Sequence, residues 1–174
     1  MRATYLTGET IYLRALVAGD KETVGAWYAG SFPISAARAE VWLKEAHTDI
    51  WGNSKPRRYL LARVDDDTPV GGVTLAVQGN RRGFLTFAMA PWRDDADALR
   101  AEALRFLVPW VRDDLELMTL TVAIAADEAA TIAAAEALGM QQAARLRAFV
   151  ARPGGRVDRL LYQALNAPWR VGDA

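Results

Sequence analysis

The segment FLTFAMAPWRDDADALRAEALRF, residues 84–106, decides the fold because it leads from a strand through a short turn into a long helix. The apolar run 84–90 favours a strand, and the spacing of apolar residues after the turn predicts a helix over 97–115. Pro109 lies inside that helix and predicts a kink. A strand joined in this way to a helix is a unit of an α/β sheet.

The turn itself is acidic, because Asp94, Asp95 and Asp97 all fall at the start of the helix. The N-terminal amides of a helix bind anions when they are left bare. Aspartates at this position are also typical helix caps, which would use the same amides. The sequence therefore raises the question of whether this turn binds a ligand or only ends a strand.

The strand 84–90 closes a predicted antiparallel meander, since the short joints DDDTP and GNRRG connect it to strands at 58–64 and 70–78. Downstream, LMTLTVAI at 117–124 is continuously apolar and predicts a central strand that is covered on both faces.

The helix ADEAATIAAAEALGM follows, with Asp127 at its start and Gly139 at its C′ position. Two last strands, 141–151 and 156–165, flank the turn RPGG.

The N-terminal part supplies a strand at 11–16, a helix capped by Asp20 and a second helix from Ser35. The order is β-α-α-β-β-β-α-β-α-β-β. This order predicts one α/β domain over residues 1–174, with a mixed sheet of about seven strands and four helices.

Composition excludes several function classes. The chain has 21 basic and 21 acidic residues, so its net charge predicts no nucleic-acid partner. It has no cysteine and one histidine, His47, which argues against a disulfide, a thiolate nucleophile or a metal cluster. Neither a leader nor a long apolar run is evident, so we expect a cytoplasmic protein without a membrane segment.

Four stretches, taken in order, resemble the GNAT superfamily of acetyl-CoA-dependent N-acetyltransferases, and its ribosomal-protein branch in particular. These stretches are LTGETIYLRAL, FPISAARAEVWL, AEALRFLVPWV, and ADEAATIAAAEALGM with RVDRLLYQAL. Thr131, Ile132, Glu136, Leu138 and Gly139 occupy positions that match the family pattern. The resemblance implies a splayed sheet, with fold and activity of the GNAT type.

The resemblance also implies an acetyl-CoA site. In this family the pantetheine amides pair with backbone groups of the splayed strand, which correspond to Met89 and Ala90. The diphosphate lies at the start of the next helix, which corresponds to Arg93, Ala96, Ala98 and Leu99, and Thr131 falls beside it. The sequence departs from the family here, because no glycine lies between Gly83 and Gly139 and the aspartates oppose a diphosphate, which predicts a degenerate acetyl-CoA loop.

The catalytic residues stay unassigned. The family's frequent glutamate base falls at Phe84, its tyrosine acid at Ala135, and its cofactor-binding asparagine at Glu128. The polar surroundings of His47 favour an exposed side chain over a general base.

The resemblance implies an acceptor pocket walled by the two N-terminal helices. Its candidate residues, which are equally compatible with plain core packing, are Tyr28, Phe32, Trp42, Phe84 and Tyr162.

Three functions stay open at this point. The first is acetyl transfer from acetyl-CoA to an amine of a small molecule or a protein N-terminus. The second is an enzyme of this fold with another donor or reaction, and the third is a non-catalytic binding protein. A peptide or small-molecule amine is the expected partner, and a homodimer is compatible with the sequence.

Overall fold

Within the part of the chain that the structure describes, the mixed sheet has eight strands, one more than the sequence predicts. The computed structural model describes residues 4–29, 33–47, 56–79 and 81–166. The strands are β1 (Thr4–Thr7), β2 (Ile11–Ala15), β3 (Arg57–Arg63), β4 (Pro69–Gln78), β5 (Arg82–Met89), β6 (Thr119–Ala125), β7 (Gln141–Arg152) and β8 (Gly155–Leu165). The additional strand β1 is too short and too polar to give a periodic signal.

The helices are α1 (Lys21–Thr23), α2 (Ala36–His47), α3 (Ala96–Pro109) and α4 (Ala129–Ala137). A 3₁₀ turn, Ala18–Asp20, precedes α1, and a π-helical turn, Val24–Tyr28, follows it. Among the described residues, no helix combines the length and the apolar character needed to cross a bilayer.

Strand order is β1-β2-β3-β4-β5-β6-β8-β7. The predicted meander is confirmed, because β3, β4 and β5 pair antiparallel in sequence order. The only parallel pair among the described strands is β5 with β6. That pair is joined by a crossover connection that contains α3.

The helices lie on opposite faces of the sheet. One core packs α3 and α4 against side chains such as Leu85, Leu104 and Val122. A second, smaller core packs the N-terminal helices against Leu60 and Ala90. The predicted cover on both faces of β6 is only partial on one of them, since its residues alternate between buried and half-buried positions.

Helix ends follow local chemistry. Gly139 has φ of +77° at the C′ position of α4. The N–H of Met140 donates to the carbonyl of Ala135, and the N–H of Gly139 to that of Glu136, which completes a Schellman motif. At Pro109, where the sequence predicts a kink, α-helical bonding gives way to a π-helical turn over Trp110–Asp114, and the kink itself stays a prediction.

Asp20 does not cap α1 through its side chain, as the sequence suggested. Its buried carboxylate instead accepts two hydrogen bonds from Arg14, at 2.8 and 2.9 Å, and one from the Val17 N–H. Arg14 is itself buried on β2, so an isolated charge there would be costly. The pair fixes the start of the N-terminal helices against the sheet.

Substitution of Gly72 by alanine should destabilise the fold, because an added Cβ would lie 2.3 Å from the ring of Tyr28. That ring cannot move easily, since the Tyr28 hydroxyl is held by the carbonyls of Tyr59 and Val73. We expect a loss of about 1–3 kcal/mol in the free energy of unfolding, measured by urea denaturation. Gly19→Ala is the control, because a Cβ there meets nothing within 4 Å. Equal stability of both variants would contradict this packing.

Stability should also fall in acid through Glu102. Partial burial raises the pKa of Glu102, but hydrogen bonds from Thr10 and the backbone of Ile11 outweigh it, so the pKa is lowered overall. The stabilisation is present above the unfolded pKa of about 4.3 and is lost as the pH falls through the lower folded value. Glu102→Gln should therefore be less stable than wild type by about 1 kcal/mol at pH 7. The difference should shrink below pH 4 in urea titrations, and a difference independent of pH would exclude this role.

Candidate functional site

An opening lies in the middle of the sheet between β5 and β6. The two strands pair in parallel from Arg82 and Thr119 as far as Leu85 and Val122. Both strands continue beyond this point, β5 to Met89 and β6 to Ala125. Their pairing ends while the strands go on, so the sheet splays into a V.

The β5 edge of the V offers unpaired backbone groups. The N–H of Ala90 donates to the carbonyl of Val70 on β4. Because backbone groups alternate in direction along a strand, those of Phe87 and Met89 face the opposite side, toward β6. Beyond Leu85 no described strand pairs with this edge. An extended ligand with amide groups can therefore pair with Phe87 and Met89.

The β6 edge is covered in part. The N–H of Ala126 donates to Asp158 on β8, so the N–H of Ala125 points toward β5. It donates to the carboxylate of Glu128 at 3.0 Å. The two edges of the V therefore differ, and only β5 presents an open pair of residues.

The carboxylate of Glu128 is held in place by two arginines. Arg100 on α3 approaches it at 2.5 Å, and Arg152 on β7 at 3.0 Å. Arg152 also pairs with Asp127, which is thereby a partner in this network rather than the cap of α4. Glu128 thus lies at the position where the family has an asparagine, but its carboxylate accepts a hydrogen bond from the protein's own backbone, at Ala125.

The first turn of α3 lies where β5 leaves the sheet. Its first α-helical hydrogen bond joins the N–H of Leu99 to the carbonyl of Asp95. The N–H groups of residues 95–98 precede that bond and have no partner within the helix. The Asp95 side chain does not cap them. These amides, including those of Ala96 and Ala98, are available to an anion.

The prediction that the three aspartates cap α3 is wrong. Asp95 forms a two-pronged pair with Arg93, at 2.7 and 2.5 Å, which is a local interaction within the turn. The Arg93 bond lowers the pKa of Asp95, and the same bond raises the pKa of Arg93. Asp94 is exposed and has no hydrogen bond or ion pair with any described residue.

Asp97 caps the neighbouring helix instead. Its carboxylate accepts the N–H groups of Ala130 and Thr131, both at 2.9 Å, and the Thr131 hydroxyl at 2.6 Å. The hydroxyl also lies 3.2 Å from the Asp97 carbonyl. A side chain from the first turn of α3 therefore satisfies the first turn of α4.

Several expected cofactor residues are thus engaged within the protein. Arg93 is paired with Asp95, and the buried Thr131 hydroxyl is bound to Asp97. The N–H of Ala90 belongs to the β4–β5 ladder, and the N–H of Leu99 closes the first helical bond. The remaining candidates are the backbone of Met89 and the amides of the first turn of α3. Their cofactor roles stay predictions.

The opposite face of the V is walled by the N-terminal helices. The rings of Tyr28 and Trp42 meet edge to face at 5.2 Å between centroids. Phe84 lies on the same face of β5, with 38% of its surface exposed. Phe32, the fourth candidate for this pocket, lies outside the described residues.

Tyr28 is a packing residue and does not act as a general acid. Burial raises the pKa of its hydroxyl, and the hydrogen bonds to the backbone carbonyls of Tyr59 and Val73 keep it in place. The hydroxyl therefore stays protonated and is committed to the sheet. Tyr28 can shape the pocket but cannot exchange a proton there.

Tyr162 lies on the wrong face for the predicted pocket. It packs into the core below α3 and α4, where its hydroxyl donates to Glu136 at 2.8 Å. Strand β8 alternates, so it is Leu161 and Gln163 that face the same side as Phe84. The apolar character of both faces hid this parity in the sequence.

Sequence reasoning missed a row of polar residues across three strands of this face. Arg58 on β3 pairs with Thr74 on β4, which pairs with Thr86 on β5. Thr86 is the first residue of β5 beyond its pairing with β6. Knowledge of the strand register alone would have found this row.

Described side chains on this face of β3, β4, β5, β6 and β8 include no carboxylate. Their polar groups are threonines, glutamines and arginines, so this part of the site holds no carboxylate base. The side chain of His47 lies outside the described residues.

Comparison with known proteins agrees with this geometry. The family model for the acetyltransferase (GNAT) domain matches residues 9–141. A crystal structure from Sphaerobacter thermophilus, of a protein provisionally named as an acetyltransferase, shares 48% identity over 97% of this chain and 99% of that one, with a TM-score of 0.77. No curated protein matches the chain.

More distant structures share the fold. The ribosomal-protein-S5-alanine acetyltransferase of Vibrio fischeri is 13% identical over 97% of this chain and 99% of that one, with a TM-score of 0.66. A spermidine/spermine N-acetyltransferase of Vibrio cholerae is 19% identical over 92% and 95%, with a TM-score of 0.64.

The splayed sheet with an open strand edge and a bare helix start defines a protein of the acetyltransferase fold. Given the family match over most of its length, the chain belongs to the GNAT acetyltransferase family.

Replacement of Asp97 by alanine should destabilise the protein, because the amides of Ala130 and Thr131 lose their acceptor. We expect a loss of about 0.5–2 kcal/mol in the free energy of unfolding, measured by chemical denaturation. Asp94→Ala is the matched control, since Asp94 is in the same turn but has no partner among the described residues. If the Asp94 variant loses as much stability, the cap across the two helices is not the stabilising interaction.

Proposed function

We propose that this protein is an N-acetyltransferase that moves an acetyl group from acetyl-CoA to an amine of a small molecule or a protein N-terminus. The observation that carries the proposal is the end of β5–β6 pairing at Leu85, directly before an uncapped helix start. Family membership supports the same donor.

The residues present fit acetyl-CoA in two places. Backbone groups of Phe87 and Met89 can pair with amides of the pantetheine arm, as a strand would. The amides of residues 95–98 can bind the diphosphate, helped by the positive end of α3. The glycines expected in this turn are not required for it, because the alanines here adopt an ordinary helical start.

The acidic turn is compatible with this donor. Asp95 is paired with Arg93, and Asp97 is directed at α4, so neither carboxylate covers the amides. Only Asp94 lacks a partner among the described residues, and it is exposed to solvent. Water screens an exposed charge strongly.

Acetyl-CoA, when bound, supplies a thioester whose carbon–sulfur bond breaks as the carbon–nitrogen bond to the acceptor forms, while the proton lost by the amine is balanced by one gained by the thiolate. The chain's own contribution is to position both partners. The β5 edge aligns the donor, and Tyr28 and Phe84 shape the space for the acceptor.

A polyamine, which the spermidine enzymes among the fold neighbours acetylate by name, is not supported as the acceptor. A polycation requires carboxylates, and the described face of the sheet presents arginines instead. An enzyme with another donor and a purely binding protein are the other readings of the sequence. No feature of the described site favours either of them.

Binding of acetyl-CoA should depend on the backbone of Met89. Met89→Pro removes an N–H that faces the V and leaves the β4–β5 ladder intact, so we expect a folded protein with about tenfold weaker binding by calorimetry. Met89→Ala is the control, since it changes only the side chain and should bind nearly as wild type. No heat from acetyl-CoA at millimolar concentration with wild type would refute the proposed donor.

The pH dependence of acetyl transfer should be set by the pKa of the acceptor amine. Because the described face holds no carboxylate base and the Tyr28 hydroxyl stays protonated, the fraction of neutral amine should control the rate. We expect log kcat/KM to rise with a slope of 1 up to the pKa of the amine used. Two amines of different pKa should give profiles displaced by that difference. A shared inflection near pH 6 for both amines would instead indicate a base on the enzyme.

A further inference from the structure

We infer that the acceptor carries an anionic group beside its amine, and that Arg58 binds this group and thereby selects the substrate. The inference rests on the proposed function, and it names the acceptor class for that site.

Arg58 is held in place by stacking. Its guanidinium carbon lies 4.5 Å from the centroid of the Trp42 ring, which is the geometry of a cation–π contact. Trp42 in turn packs on Tyr28, whose hydroxyl is fixed to the sheet. The arginine is therefore positioned before any ligand arrives, and little conformational entropy is lost on binding.

The donors of Arg58 are not used by the described part of the protein. Arg58 is half-buried, yet it forms no hydrogen bond or ion pair with any described residue. By contrast, Arg14, Arg93, Arg100 and Arg152 each pair with a carboxylate. A half-buried guanidinium whose planar edge lacks an acceptor favours a bidentate anion.

Arg58 is also at the right distance from the V. It lies in one row with Thr74 and Thr86, and Thr86 borders the opening. Neighbouring strands are separated by about 4.8 Å, so two steps span roughly 10 Å. An amine at the opening is therefore separated from the Arg58 backbone by roughly 10 Å, a span that a short acceptor and the arginine side chain can bridge together.

The threonines between them provide neutral hydrogen-bonding groups, and the described side chains on this face of β3, β4 and β5 include no carboxylate that could compete for Arg58 or attract a second cation. An ω-amino acid has the required combination of one amine and one carboxylate. A phosphate on a short amine offers the same anionic chemistry to a guanidinium. The site should therefore prefer zwitterionic amines to diamines.

Transfer assays with acetyl-CoA test this selection. The acceptors are glycine, 4-aminobutyrate and 6-aminohexanoate, with 4-aminobutanamide and putrescine as uncharged and cationic counterparts. We expect 4-aminobutyrate to exceed its amide by about ten- to one-hundredfold in kcat/KM, mainly through KM. Phosphoethanolamine against ethanolamine distinguishes a phosphate from a carboxylate.

Arg58→Gln should abolish the preference for 4-aminobutyrate over its amide, and Arg58→Lys should restore part of it. Arg57→Gln is the matched control, because Arg57 is the adjacent residue on the other face of β3 and carries the same charge. An equal effect of Arg57→Gln and Arg58→Gln would overturn the inference. So would a preference for the amide or putrescine in wild type.

Binding without turnover separates this inference from the proposed function. Trp42 lies against Arg58, so its fluorescence should report 4-aminobutyrate binding in the absence of acetyl-CoA. Saturable binding by wild type that is lost in Arg58→Gln supports the anion site even if no acetyl transfer is seen. Absence of such binding, with acetyl transfer to neutral amines intact, rejects the anion site and leaves the acetyltransferase proposal standing.

Discussion

The carboxylate of Asp97 is the interaction on which the opening in the sheet depends. Helix α3 follows β5, and α4 follows β6, so the two helix starts lie on either side of the V. Asp97 belongs to α3 but accepts the first amides of α4 and the hydroxyl of Thr131. This one side chain therefore links the start of α3, which follows β5, to the start of α4, which follows β6. Without it, the first amides of α4 would lose their acceptor.

The same side chain explains how an acidic turn coexists with a bare helix start. Three carboxylates lie close together in the sequence, and the sequence predicts that they cap the N-terminal amides of α3, the helix that they precede. The structure instead satisfies two of them elsewhere, one by Arg93 and one by α4. Two of the three carboxylates are therefore occupied by other partners, while the first amides of α3 have no side-chain cap from Asp95. The number of acidic residues alone could not distinguish these arrangements.

Much of the fold was accessible from the sequence, because it depends on local chemistry. The meander joints and the C′ glycine at 139 each have a physical cause within a few residues, and each appears as expected. The site was less accessible because its residues meet through register. Tyr162 was assigned to the wrong face, since both faces of β8 carry apolar residues. Arg58 gave no signal, because its row with Thr74 and Thr86 exists only once three strands are aligned.

The two edges of the V, on β5 and on β6, differ in the partners that they offer to an extended ligand. Both strands diverge, but the β6 edge is met by Glu128, which two arginines hold against the N–H of Ala125. An extended ligand inserted between the strands finds backbone partners on β5 and a carboxylate on the other side. It must therefore align with β5, whose last residues lead straight to the start of α3. Going back along β5 from the start of α3, Met89 and Phe87 precede Thr86, which is the end of the row that contains Arg58. A ligand held along this edge is thus extended from the helix amides toward the arginine face, and its reactive end is set by strand direction rather than by any single side chain.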